Sequence, residues 1–310
     1  MAAHSNEYDV SRQIKTTDPH AVNQEIDRIY RDLYQGASTE QLDQAFHDMA
    51  QLYRGEYPGY HACDTAYHDT QHVLDVTLAM ARLINGYERG RIGVQPIDAS
   101  LFRLGVITAL FHDCGYVRQL SDHEHKNGAE MTLTHVTRGA HFLQDYLPKI
   151  GMANVTDVAK ELIHFTGYEI PVGDIKVPGP IYRLLGTMLG SADIIAQMAD
   201  RCYLEKCRDR LYPEFVAGGL ATTHTPDGEE QVKYASGIDL VMKTPEFFRV
   251  ARKRLDVDLD ASHTFAHKHF GGQNLYLDEV EKNIKFAETI RKDGEQVAPL
   301  NRTPPSLLKK

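Results

Sequence analysis

The sequence is poor in the features that settle a protein's class at a glance. Only four cysteines occur in 310 residues, Cys63, Cys114, Cys202 and Cys207, and no two form a CxxC pair. That argues against a disulfide framework at this length. Basic charge is outnumbered: 34 Lys and Arg face 43 Asp and Glu, a formal net charge of -9. Global attraction to a nucleic-acid polymer or an anionic membrane is therefore not expected, and a phosphate-bearing partner would need local positive charge, which bound cations can supply. No apolar run reaches the ~18 to 20 residues of a membrane span, and the opening MAAHSNEYDVSRQIKTTDPH has no signal core, so the expected location is cytoplasmic. Internal repeats, low-complexity tracts and alternating strand-like runs are lacking too.

What remains is a 42% hydrophobic, 25% charged chain with apolar positions recurring at three- and four-residue spacing. The pattern predicts an all-α fold with helices over 20–35, 38–53, 69–86, 98–113, 126–148, 154–165, 179–199, 200–217, 229–241, 244–255 and 274–293. Asp98 and Ser100 are candidate caps for LFRLGVITALFHD, and Pro178 and Pro180 open IYRLLGTMLGSADIIAQMAD. Residues 1–55 read as a peripheral helical segment, 56–295 as the main domain and 296–310, rich in proline and basic residues, as a flexible tail.

Three stretches carry chemistry. In AYHDTQHVLDV, His68 and His72 stand one helical turn apart with Asp75 three residues on, so two imidazoles and a carboxylate share a stripe; a solvated polar face is the plain alternative. His112 and Asp113 end the strongly apolar run LFRLGVITALFHD, where buried charge demands a partner, and a cation is a natural one. Asp193 interrupts another apolar helix beside Gly190, Ser191 and Ala192, small residues that permit close approach; a hydrogen-bonded core aspartate is the alternative. Asp200 is a candidate salt-bridge partner. His123, His125, His135, His141 and His164 lie between the second and third stretches.

The order YHxxxHxxDV, then an apolar helix ending in HD, then an ADI aspartate on a later helix, resembles the HD superfamily of metal-dependent phosphohydrolases over roughly residues 60 to 200. Tyr67 to Val76 resembles the opening motif of cyclic-nucleotide phosphodiesterases, although Asp69 and Val73 replace the Asn and Ala of that motif. The resemblance implies an HD-type multi-helix bundle with a metal site in its core. His72, His112, Asp113 and Asp193 would be metal ligands and His68 the general acid. HVTRGAHFL resembles a helix of bacterial two-metal members, which implies that His135 and His164 complete a second site.

Such ligands suit Zn, Mn, Fe, Ni or Mg, and Asp113, with two oxygens, is the natural bridge between two divalent ions. The implied reaction is hydrolysis of a phosphate ester, a phosphodiesterase step on a (cyclic) nucleotide by metal-activated water, with His68 and Asp113 as catalytic groups. Asp75 or Glu124 would orient an imidazole. The segment ASHTFAHKHFGGQNLYL groups His263, His267 and His269 without a carboxylate at ligand spacing; Gln273 and Asn274 are candidate substrate-binding groups. Two other classes stay open: a di-iron oxygenase on the same ligands, and a non-catalytic ligand-binding module.

Overall fold

The computed structural model describes residues 6–224, 227–228, 230–292 and 300–305. Helices dominate: α1 Pro19–Leu33, α2 Glu40–Arg54, α3 Thr70–Gly90, α4 Ala99–Leu110, α5 His135–Tyr146, α6 Thr156–Leu162, α7 Pro180–Ala199, α8 Tyr203–Lys206, α9 Tyr212–Ala217, α10 Gly237–Lys253, α11 Ala266–His269 and α12 Leu275–Lys292. Among the described residues the strands are Thr222–His224 and Glu230–Val232, paired antiparallel. No helix there is long and apolar enough to cross a membrane.

α3 is the axis of the bundle. Asp69 caps it, accepting the His72 backbone N–H at 3.0 Å, and it is buried almost all round from Thr70 to Tyr87, as a central helix must be. α4 and α7 pack against it directly, α1 covers another side, and α11 closes its C-terminal end. α4 is apolar on every face, burying Phe102, Leu104, Val106, Ile107 and Leu110. Each such side chain contributes about 1.5–3 kcal/mol, which fixes the end of this helix firmly against its neighbours. The buried Arg82 on this axis pairs with Asp9 at 2.6 Å and donates to the Tyr276 hydroxyl at 3.0 Å.

Residues expected to be peripheral are part of the same core, since Val22, Ile26, Ile29, Leu42, Phe46 and Met49 of α1 and α2 are buried within it. Of the expected flexible tail, 300–305 lies against the body: Leu300 is buried, its carbonyl accepts from Arg208, and Arg302 N–H donates to Glu205. Residues 296–299 and 306–310 lie outside the described residues.

The long elements match the sequence periodicity, and four segments differ. The helix expected from 126 begins at His135, because Gly128–Met131 forms a short 3-10 turn capped by Asn127. The span 200–217 is broken by a π-helical turn, Cys207–Leu211, between α8 and α9. The span 229–241 contains strand residues Glu230–Val232, and helix starts at Gly237 under a Ser236 cap. Finally, α10 runs through Pro245 rather than stopping before it. Proline cannot donate to the Val241 carbonyl, and the Thr244 hydroxyl donates to that carbonyl instead, at 2.7 Å.

Candidate metal centre

His72 sits in the first turn of α3, His112 and Asp113 in the turn that ends α4, and Asp193 in the second-to-last turn of α7. The bundle brings all four together. His72 Nε2 lies 3.2 Å from Asp113 Oδ2 and 3.5 Å from Asp193 Oδ1. His112 Nε2 lies 3.2 Å and 3.9 Å from the same two oxygens. The ligand atoms of His72, His112 and Asp113 all fall within 4.8 Å of one another, so this buried group is able to hold a metal ion.

The donor set fits a divalent cation on a second, independent ground. His112 Nε2 and Asp113 Oδ2 are fully buried and have no hydrogen-bond partner, a costly state for native side chains unless another group completes them. The other ring nitrogen of His112 donates to the Ala109 carbonyl at 2.8 Å, which leaves Nε2 facing the two carboxylates. Burial opposes charge on His112, yet Asp113 and Asp193 raise its pKa to about 9. Asp113 is held well below the usual carboxylate range by His112, His72 and His68 against the opposing effect of burial. The cluster thus attracts positive charge in a place where charge is otherwise disfavoured.

Around these four stand further groups. His135 opens α5 with Nε2 3.7 Å from Asp113 Oδ1, the carboxylate's other oxygen, and donates from Nδ1 to the Thr132 carbonyl at 2.7 Å. Burial, the largest influence, lowers its pKa and keeps it a neutral donor of its lone pair. Gly115 makes this approach possible: a Cβ there would lie 1.9 Å from the His135 carbonyl oxygen. Gln197, one turn beyond Asp193, donates to its Oδ1 at 3.4 Å and accepts from the Tyr67 hydroxyl at 3.3 Å. His164, expected to complete a second site, has its Nδ1 buried without a hydrogen-bond partner, 3.9 Å from Glu169 Oε2.

His68 is near the centre but not on the helix. Asp69 takes the cap position, so His68 lies in the bend before α3, its ring 5.9 Å from that of His72. Its Nδ1 meets Glu214 Oε2 at 2.6 Å, and Glu214 Oε1 accepts the Tyr67 backbone N–H. Burial works against protonation of His68, and the Glu214 carboxylate overcomes it, so the pKa is raised. The His68 and His135 rings both stack on Tyr116, at 4.2 and 4.4 Å.

Glu214, on α9, was not foreseen; no local spacing links it to a histidine 146 residues away. Asp75 and Glu124 do not orient these imidazoles. Glu124 lies in a turn capped by Asp122. Asp75 is half-buried, and desolvation together with Asp200 pushes its pKa well up while Lys206 opposes; Asp200 pairs with Lys206 at 2.5 Å. Gln273 and Asn274 are placed elsewhere as well. Asn274 accepts the Leu277 N–H as a helix cap and donates to the His263 carbonyl, while Gln273 donates to Asp278. Asn274 lines a groove with Gly86 and Gly90, which lie 14 and 18 residues along α3 from His72, on the order of 20 Å away. Among the described residues His263, His267 and His269 form no group of three metal ligands; His263 Nε2 lies 3.6 Å from Asp256, and His269 accompanies Asn85 at 2.8 Å.

No family model matches this chain, and no curated protein or solved structure does either.

Proposed function

We propose that the chain is a metal-dependent phosphohydrolase of HD type, acting as a phosphodiesterase on a small phosphate ester such as a (cyclic) nucleotide. The observation that carries this reading is the pair of buried, unpartnered atoms His112 Nε2 and Asp113 Oδ2, converging with His72 and Asp193. His72, His112, Asp113 and Asp193 would hold one divalent ion. The other oxygen of Asp113, beside His135, would extend the donor set towards a second. A bound divalent cation supplies Lewis acidity, lowering the pKa of water and offsetting charge that develops on phosphorus.

The protein's own groups do the rest. The Ala109 and Thr132 carbonyls fix the tautomers of His112 and His135, so both rings present a lone pair inward. Gln197 steadies Asp193. Glu214 holds His68 by Nδ1 and favours its protonated form against burial, in which Nε2–H would deliver a proton to the departing ester oxygen. Tyr116, packed on both His68 and His135, shields that side from bulk water.

A screen of cyclic and linear phosphate esters with each of Zn, Mn, Fe, Ni and Mg tests the reading. Turnover that a chelator abolishes is expected, with His68→Ala keeping its metal while hydrolysing poor leaving groups most slowly. Absence of turnover under every metal would remove it. A di-iron oxygenase would use the same ligands, but a buried glutamate that favours the protonated form of a nearby imidazole suits leaving-group chemistry; oxygen consumption in the iron-loaded protein separates the two.

A further inference from the structure

Tyr168 is 62% exposed, an unusual degree for a tyrosine, yet its ring is not loose. One face rests on Arg254, whose guanidinium carbon lies 4.0 Å from the ring centroid. Arg254 is buried, and its Nη2 donates to the carbonyls of Phe165 at 2.8 Å and Gly167 at 2.6 Å. The same cation therefore fixes the ring and the backbone leading to it.

Two close contacts locate that backbone. A Cβ on Gly190 would come within 2.4 Å of the Phe165 carbonyl oxygen, and Gly190 precedes Asp193 by three residues, about 4.5 Å along α7. A Cβ on Gly167 would come within 3.0 Å of Val136, the residue after His135. The segment 165–167 is thus wedged between the helix that carries Asp193 and the helix that opens with His135. Tyr168 emerges where the two meet. The metal cluster is open on the side of these residues: the side chains of Asp193, His135 and His68 keep 14%, 19% and 16% of their surface, against 6% and 1% for His72 and His112.

We infer that Tyr168 is a stacking platform for a planar aromatic group of the substrate, a nucleobase or an aryl ring, whose ester phosphate sits at the His–Asp cluster. The inference rests on the phosphohydrolase reading and gives it a recognition element at the rim of the site, where Gln273 and Asn274 cannot serve. A ring with one face on a fixed guanidinium has its other face free and needs no reordering to receive a flat partner. Stacking of this kind accepts any base, because every base has a π face.

The test is calorimetric binding of adenosine 5′-monophosphate, phenyl phosphate and methyl phosphate to the full-length Mn-loaded protein, with Tyr168→Leu and Tyr168→Phe beside the wild type. Leucine keeps packing on Arg254 and removes the aromatic face. Tyr168→Leu is expected to weaken the ring-bearing ligands by about tenfold and leave methyl phosphate unchanged, while Tyr168→Phe binds all three as the wild type does. A loss confined to the nucleotide identifies a nucleobase as the partner, and one confined to phenyl phosphate an aryl ester. Equal weakening of all three, or of none, overturns the platform alone. Failure of the wild type to bind any of them overturns the phosphohydrolase reading together with it.

Discussion

Replacing Glu214 by glutamine removes one charge and little else. Glutamine can still accept the Tyr67 N–H through its amide oxygen and still reach His68, so the loop before α3 keeps its anchor. What is lost is the charge assistance in a buried contact of 2.6 Å between His68 Nδ1 and Glu214 Oε2. Hydrogen bonds to charged groups contribute about 1.5–3 kcal/mol, and ~1.4 kcal/mol corresponds to tenfold in rate. Glu214→Gln should therefore slow hydrolysis by roughly 10- to 100-fold near neutral pH. The loss has a direction in pH. Glu214 raises the His68 pKa against the effect of burial, so the acid form is present below that pKa and disappears as pH rises through it. Without the carboxylate the alkaline limb of the kcat/KM profile moves to lower pH, and the ratio of wild-type to variant rate grows with pH. Steady-state profiles at fixed metal saturation, with metal content measured in both proteins, give the comparison. A uniform reduction at every pH, with the limb unmoved, would refute the role of Glu214 and leave it a structural anchor.

Two further predictions follow from the same geometry. Gly190→Ala would place a Cβ 2.4 Å from the Phe165 carbonyl, and should destabilise the fold by about 1–3 kcal/mol while lowering metal affinity, read by thermal melts with and without metal; an unchanged melting temperature would show that α7 has slack there. In the cation-free protein His112 is raised to about 9, so a metal must displace its proton and apparent affinity should climb about tenfold per pH unit from pH 7 towards 9; competition titrations giving a flat dependence would contradict that linkage.

Local signals in the sequence were sufficient for the long helices and for the residues that converge at the candidate site. Asp69, Asp98 and the Pro180 start punctuate α3, α4 and α7, and apolar runs around His112–Asp113 and Asp193 advertise charge that burial must match. Where a partner came from far along the chain, the sequence was silent. Glu214 meets His68 across 146 positions, and Arg254 reaches the Phe165 carbonyl across 89. Competing local chemistry accounts for the remaining differences. Asp69 is a better helix cap than interior residue, which moves His68 off α3; Asn274 caps α12 and is consumed by that role. Thr244 supplies the hydrogen bond that Pro245 cannot, so one helix, Gly237–Lys253, stands where the sequence periodicity suggested two.

The most direct test of a shared cation centre is the divalent-metal content of dialysed protein, by elemental analysis, in the wild type and in Asp113→Ala, with circular dichroism to establish that both are folded. Asp113 touches both imidazoles and faces His135, so the wild type should retain at least about one ion per chain and the folded variant none. Equal metal in the two proteins, or none in a wild type offered every candidate ion, would mean that His72, His112, Asp113 and Asp193 converge for some purpose other than holding a cation.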